Sequence, residues 1–458
     1  MIILIDVLAL LCVALFVVFI TFKAGHIQVP FFVGCIYLGW LLPQFYAYYA
    51  SAPYDHHLLT RPVVFSAVSL MMLTAGWFYG CARGKRAVLA MRAKKARLSH
   101  RQFITDTPGQ FRTDTTVSLI PLFLLTVFGW AVTLAILNLP ADMLSARMPT
   151  GLVTILRFLS STRAVSLPLA LILFLHRPSW PLALLVVLNL ALYAPSIFVQ
   201  IKRNDLIEVA AIILSCLWFM RRATPSRAVV IGGLIGAFVL VASVSQLRNI
   251  SGFETNALGD SEIDLPTIAE LEQIDFGEAV SEVFSIRYIE VQNASHYMVY
   301  IENNGHWSFG GQLWNRIVNL YVPGQIVGSE FKKSLIIGFE LYDFEFSKSF
   351  YERLPGSTLT GFLQGFTDFW YFGVTIYLFA GVFAGRLFIS ALDRNLFSQI
   401  AYSSLIIPII TSFTHDTYMF ITNSIFYIPL CLVSAYLTMR IGARRRRSRA
   451  LYVTGAAI

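Results

Sequence analysis

Apolar segments of about 20 residues recur along the whole chain, and they constrain its fold more than any other feature. Such a segment is the length that an α-helix needs to cross a hydrocarbon core of about 30 Å. The composition agrees, because 56% of the 458 residues are hydrophobic and only 13% are charged, against about 25% charged in soluble domains. These values exclude a cytosolic enzyme, a disordered protein and a secreted disulfide scaffold, and they predict a polytopic membrane protein.

Eleven segments have the length and hydropathy of membrane spans. Only helices satisfy the backbone inside lipid without strand pairing, so we predict an all-α polytopic bundle. The predicted spans are 2–22, 29–50, 63–81, 116–138, 158–176, 181–200, 205–220, 228–247, 366–389, 397–414 and 417–439.

Basic residues are concentrated in three segments. If the chain crosses the membrane eleven times, all three segments lie on the same side of it. The segment 82–115 contains nine Lys or Arg residues, three arginines follow the seventh span, and six lie in the tail 440–458. Because cytoplasmic loops carry an excess of Lys and Arg, this side is predicted to be cytoplasmic. The N-terminus is then outside and the C-terminus inside.

The opposite side has one large acidic segment. Residues 247–360 contain 16 of the 26 acidic residues and only 7 basic ones, a net charge of −9. Helical apolar spacing over 268–274 and 278–289 predicts short amphipathic helices there. We therefore divide the chain into transmembrane helices 1–8 (1–247, with the basic cytoplasmic loop 82–115), a large extracytoplasmic loop (248–365), helices 9–11 (366–439) and a basic cytoplasmic tail (440–458).

Cations on the acidic side are the first candidates for function. An arginine at the membrane boundary is costly unless an anion compensates its charge, and its planar guanidinium suits phosphate. The candidate cations are Arg157, Arg163, Lys202, Arg203, Arg248, Arg316 and Arg353. For Arg203 the structural alternative is an interface anchor or an ion pair with Asp205 or Glu208.

A turn signal, Pro355-Gly356, precedes the ninth span, and Ser357 follows it as a candidate helix cap. The first turn of a helix offers free N–H groups to an anion. Gly361 and Gly365 allow close approach of a backbone, a sugar or a neighbouring helix, and helix packing explains them equally well.

His415 closes the tenth span and is a candidate general base, because imidazole titrates near neutral pH. Its structural alternative is a helix-end pair with Asp416. The chain contains no HExxH, Walker A or GxSxG motif, and we expect no metal and no cofactor.

These features together resemble the bacterial oligosaccharide repeat-unit polymerases, the Wzy-type O-antigen and exopolysaccharide polymerases, which are relatives of the O-antigen ligases. The shared features are the eleven or so helices, one large outer loop before the last three, and arginines that close a middle span and begin the loop. Pro355-Gly-Ser357 running into a Gly-rich helix, with Gly373 further on, completes the set.

The resemblance implies a GT-C-like fold and glycosyl transfer at the periplasmic face of the bacterial inner membrane. The expected substrates are oligosaccharide units on undecaprenyl diphosphate. The other expected partners are membrane lipid and a chain-length regulator, with no nucleic acid. The implied catalytic residues are Arg203, Arg248, Arg353 and His415. The implied substrate-binding residues are Arg157, Arg163, Lys202, Arg316, Glu352, Pro355, Gly356 and Ser357, and Glu352 is the alternative base.

Three other functions stay open at this point. A flippase of lipid-linked oligosaccharides predicts short loops and two matched halves, neither of which the sequence has. An O-antigen ligase uses the same donor as a polymerase, and an essential loop histidine would favour it. A structural scaffold of an assembly complex does not explain the outer arginines.

Overall fold

The computed structural model describes residues 1–22, 25–51, 53–99, 118–139, 152–199, 203–236, 277, 289–305, 307–337 and 360–455. Within these ranges the regular structure is helical and no β-strand is present. We number the main helices in chain order. They are α1 (Ile2–Thr21), α2 (Val29–Ser51), α3 (Thr60–Ser99), α4 (Ile120–Leu137), α5 (Leu152–Ser160), α6 (Arg163–His176), α7 (Trp180–Ala191), α8 (Arg203–Arg221), α9 (Arg227–Gly236), α10 (Ile289–Asn304), α11 (Gly311–Tyr321), α12 (Gly324–Val327), α13 (Ser329–Ser334), α14 (Leu363–Phe369), α15 (Thr375–Leu392), α16 (Leu396–Thr414) and α17 (Met419–Gly455).

Nine helical stretches among the described residues are long and apolar enough to cross a membrane. They are Ile2–Thr21, Val29–Ser51, His56–Ala93, Ile120–Leu137, Ile155–His176, Trp180–Ile197, Leu363–Leu392, Leu396–Thr414 and Met419–Arg440. The chain is therefore a multi-pass helical membrane protein. The predicted seventh span corresponds to α8, which begins with charged residues, and the eighth begins as the shorter α9. The total of eleven spans stays a prediction.

The most extensive helix contact joins α3 to α15. A Cβ added to Gly80 would overlap the carbonyl oxygen of Val382, and one added to Gly381 would overlap that of Leu73. Small residues at every fourth position let two membrane helices approach this closely. We call this contact the glycine seam; it consists of Gly76, Gly80, Gly84, Gly381 and Gly385.

Helix α16 occupies the centre of the bundle, and its residues from Ser398 to Thr414 are all buried. Its hydroxyl groups bond to neighbouring helices: Ser404 Oγ donates to the Ala164 carbonyl at 2.7 Å, and Ser403 Oγ lies 2.7 Å from Ser215 Oγ. Such hydrogen bonds hold helices together where lipid supplies no polar partner.

Two segments predicted as basic loop and tail are helical where the structure describes them. Helix α3 continues to Ser99 and is 40 residues long, and α17 continues to Gly455. In the segment 85–99 the reason is composition: it contains no Gly or Pro and consists largely of Ala, Leu, Lys and Arg, which are strong helix formers. Net charge identifies a segment outside the membrane but does not end a helix.

The described part of the large acidic segment contains four helices. They are α10, α11, α12 and α13. The predicted helix 268–274 and most of 278–289 lie outside the described residues.

Candidate functional site

Helix α11 of the large loop is held at its start by a carboxylate from α14. Asp368 is only 1% exposed and accepts hydrogen bonds from the backbone N–H groups of Gln312, at 3.0 Å, and Leu313, at 3.2 Å. The hydroxyls of Ser308 and Tyr418 donate to the same carboxylate. A helix leaves its first N–H groups unpaired, and a negative charge there interacts favourably with its dipole. Asp368 therefore docks α11 on the bundle.

Further along α11, Arg316 reaches the loop between α16 and α17. Its guanidinium donates to the Asp416 carboxylate and lies 2.9 Å from Met419 Sδ. Only 25% of the Arg316 side chain and 11% of the Asp416 side chain are exposed. At the end of α11, Tyr321 Oη donates to the Thr422 carbonyl. We call this arrangement the docked-helix site; it is formed by Asp368, Tyr418, Arg316, Asp416, Tyr321 and His415.

His415 is the exposed member of the docked-helix site. Its Nδ1 lies 2.7 Å from Thr414 Oγ1. Desolvation by the surrounding protein lowers the pKa of the imidazole, and this effect outweighs the opposing Asp416 charge. The ring is therefore neutral at pH 7 and able to accept a proton.

Asp416 is held by Arg316 rather than by its neighbour His415. Burial raises the pKa of the Asp416 carboxyl, and the Arg316 guanidinium and the Tyr418 N–H, at 2.8 Å, oppose that rise. The sequence offered a helix-end pair of His415 with Asp416 as the structural alternative. In the structure Asp416 instead pairs with Arg316, which lies 100 positions earlier in the same chain.

The chain segment before α14 lies tightly against the same loop. The Gly361 N–H donates to the Phe413 carbonyl at 3.0 Å, and a Cβ on Gly361 would overlap the Ser412 carbonyl oxygen. The Gly365 N–H donates to Thr417 Oγ1 at 2.9 Å. The close approach expected of Gly361 and Gly365 is present, and the partners belong to the chain itself: backbone atoms of Ser412 and Phe413 for Gly361, and the Thr417 side chain for Gly365.

A second ionic group, the Arg163 cluster, joins α6, α8 and the segment after α7. Arg163 donates to Asp205 Oδ2 at 2.5 Å and to Ser196 Oγ at 3.1 Å, and its guanidinium carbon lies 4.3 Å from the Tyr193 ring centroid. Glu208, one turn after Asp205, is 8% exposed. Removing either member of the Arg163–Asp205 pair would leave an uncompensated charge in an apolar bundle.

Helix α5 contacts the docked-helix site from the side of the Arg163 cluster. The Phe158 ring centroid lies 5.4 Å from that of Tyr321 and 4.4 Å from that of Phe426. Arg157, next to Phe158, is exposed. Arg157 and Arg316 therefore lie on elements that meet at one end of the bundle.

Five of the predicted site residues lie in the described part of the chain: Arg157, Arg163, Arg203, Arg316 and His415. Arg316 pairs with Asp416, the residue that follows His415, while Arg157 and Arg163 lie on the successive helices α5 and α6. Arg203 begins α8, two residues before Asp205, but its side chain lies outside the described part of the chain, and Asp205 pairs with Arg163. The predicted site residues outside the described part of the chain are Lys202, Arg248, Glu352, Arg353, Pro355, Gly356 and Ser357.

Asp368 and Tyr418 were missed by the sequence reasoning. A signal for Asp368 existed, because it is the only charged residue between Gly361 and Phe383 in an otherwise apolar stretch. An acid in such a stretch requires a partner. No local pattern identifies that partner as the start of a helix about 55 positions earlier.

The fold and these contacts define a class: a multi-pass α-helical membrane protein with a helix of its long loop docked at one end of the bundle. Among the described residues no group of three or more His, Cys, Asp or Glu side chains could hold a metal ion. Comparison with protein-family models, with curated protein sequences and with solved structures gives no match.

Proposed function

We propose that this chain polymerises oligosaccharide repeat units carried on undecaprenyl diphosphate. In this proposal it has eleven transmembrane helices in a GT-C-like arrangement in the bacterial inner membrane, with the N-terminus in the periplasm and the C-terminus in the cytoplasm. The docked-helix site then faces the periplasm, where the repeat units are joined.

The exposed His415 beside the buried Arg316–Asp416 pair is the observation that carries the proposal. The lowered pKa of His415 keeps its imidazole neutral at pH 7, so it can take the proton of an acceptor hydroxyl. Arg316 pairs with Asp416, the residue that follows His415, so the backbone beside His415 is anchored to α11 before substrate binds.

The reaction that fits these groups is a single glycosyl transfer. The hydroxyl oxygen of the acceptor sugar forms a bond to the anomeric carbon of the donor sugar. The bond from that carbon to the diphosphate oxygen breaks, and the lipid diphosphate leaves with the electron pair. The hydroxyl proton passes to His415 or to Glu352, and arginines neutralise the charge that develops on the diphosphate.

A deletion strain complemented with variants tests the proposal. We expect His415→Gln to be expressed and to lose long polymer from the gel ladder of surface glycans, while single repeat units still reach the surface. The matched control is His57→Gln, since His57 is also exposed. Arg203→Ala, Arg248→Ala and Arg353→Ala test the remaining catalytic assignments. Normal polymer in a strain with His415→Gln would contradict the role of His415 as the general base.

The exposed position of His415 also supports a second candidate, an O-antigen ligase-type transferase, because a loop histidine is expected to act in that reaction. The deletion strain separates the two. Polymer that accumulates on the lipid carrier identifies a ligase, whereas single units at the surface identify a polymerase. Loss of every outer-leaflet unit would instead identify a flippase.

A further inference from the structure

An apolar groove of about 590 Å³ runs between α15 and α17. Phe379, on one wall, is 67% exposed and Ile425, on the other, is 45% exposed, so the groove is on the outer surface of the bundle, where lipid surrounds a membrane protein. Its main lining residues are Phe379, Phe383, Arg386, Phe420, Ile425 and Pro429.

Arg386 is the one charged residue in the lining of this groove. It is exposed on a helix that is apolar enough to span the membrane, and it makes no hydrogen bond or ion pair with a described residue. Two other arginines near the C-terminal end of α15 have partners within the protein. Arg92 pairs with Asp393, and Arg222 donates to the Leu392 carbonyl at 2.7 Å. An arginine in a membrane span is costly without an anionic partner, and the part of the chain that the structure describes supplies none, so the lipid that surrounds the groove is the candidate source of that anion.

A second, smaller groove of about 290 Å³ shares Phe383 and Arg386 with the first and continues onto α3. Here α3 contributes Gly84, Val88 and Met91. The stretch of α3 from 83 to 92 has four basic residues and no acidic one. Basic clusters at the end of a membrane helix attract anionic lipid headgroups.

We infer that these grooves form a binding site for a glycerophospholipid with an anionic headgroup. The headgroup phosphate binds Arg386, where the two grooves meet, and one acyl chain lies along α15 and α17. Phe420 and Pro429 are nine residues apart, about 13 Å along a helix. That length is close to half of a hydrocarbon core of about 30 Å, which is the depth of one leaflet. This site is separate from the docked-helix site and does not depend on the proposed function.

Native mass spectrometry of the purified full chain, titrated with phosphatidylglycerol or phosphatidylcholine, tests the inference. The wild type is expected to retain phosphatidylglycerol in preference to phosphatidylcholine. Arg386→Gln lowers the affinity for phosphatidylglycerol about fivefold, the effect of one basic residue near an anionic lipid, and Arg386→Lys keeps most of it. The control is Arg440→Gln, because Arg440 already contacts Tyr436 and lies outside both grooves; it should change the affinity less than about twofold.

A second measurement uses only the wild-type chain in vesicles that contain phosphatidylglycerol with a photoreactive acyl chain. Cross-links are expected within 379–386 and 420–429. The inference is overturned if the two lipids bind equally, if Arg386→Gln binds phosphatidylglycerol like the wild type, or if the cross-links fall outside the grooves. Chemical cross-links from these same residues to a second copy of the chain would also overturn it, because the groove would then be an interface.

Discussion

The glycine seam and the docked-helix site hold the protein together in different ways. In the seam, α3 and α15 touch through backbone atoms, and the contact depends on the absence of side chains. In the docked-helix site, α11 is held by one buried carboxylate and one ion pair, and the contact depends on particular polar atoms. The seam is therefore sensitive to added volume, and the docked-helix site is sensitive to lost hydrogen bonds and charge.

The largest effect is expected in the seam. Gly80→Ala places a methyl group on the Val382 carbonyl, so α3 and α15 must separate. We expect the free energy of unfolding to fall by about 3 kcal/mol or more, measured in detergent, with a lower protein level in the membrane. The matched control is Gly233→Ala, since no described atom outside its own helix backbone lies within 4 Å of a Cβ at Gly233. If the two variants are equally stable, α3 and α15 do not pack as closely at Gly80 as the glycine seam requires.

Loss of the Asp368 carboxylate is expected to have the next largest effect. Asp368→Ala leaves the N–H groups of Gln312 and Leu313 and the Tyr418 hydroxyl without their acceptor, so the free energy of unfolding should fall by about 2–4 kcal/mol. Asp393→Ala is the comparison, because its partner Arg92 is 62% exposed, and it should cost less than about 1 kcal/mol. If the two cost the same, Asp368 does not anchor α11.

A double-mutant cycle measures the ion pair itself. We expect Arg316→Ala and Asp416→Ala to show a coupling energy of about 1–3 kcal/mol, because both partners are largely buried. The same cycle on Arg92 and Asp393 should give less than about 1 kcal/mol. A coupling near zero for the buried pair would mean that α11 is held by its two ends alone.

The smallest effect is a pH dependence that belongs to the docked-helix site. Because desolvation by the surrounding protein lowers the pKa of His415 below its ordinary 6.5, the histidine is protonated in the unfolded chain at a higher pH than in the folded chain. Stability therefore decreases below about pH 6.5, and the decrease is complete once the pH is below the lowered pKa.

Unfolding followed from pH 7.5 to 5 should show this slope reduced in His415→Gln. Asp416 has a raised pKa and contributes the opposite slope, so the difference between the variant and the wild type isolates His415. His57→Gln serves as the control for loss of a histidine, and an unchanged slope in His415→Gln would contradict the assignment.

The membrane fold could be predicted from the sequence because hydropathy is a local property. Nine of the eleven predicted spans coincide with described helices that are long and apolar enough to cross a membrane. The sequence analysis ended the third span near residue 81 and did not predict that its helix continues to Ser99. Charge places a segment relative to the membrane, whereas helix propensity decides its conformation.

The site could be predicted only in part. The sequence identifies arginines whose charge needs an anion, but it does not say which anion compensates each one. Arg163 pairs with Asp205, 42 positions later, and Arg316 pairs with Asp416, 100 positions later. Pairs this far apart are decided by how the helices pack, which no local pattern contains.

The docking of α11 by Asp368 also has a consequence for biosynthesis. The ribosome makes α11 about 55 residues before it makes Asp368, and 100 residues separate Arg316 from Asp416. At about 5–20 residues per second, several seconds pass between the synthesis of α11 and the synthesis of Asp368 and Asp416, which hold it. A ribosome that stalls before α14 leaves the first turn of α11 without this acceptor, so attachment of the start of α11 reports that the chain has been synthesised at least as far as Asp368.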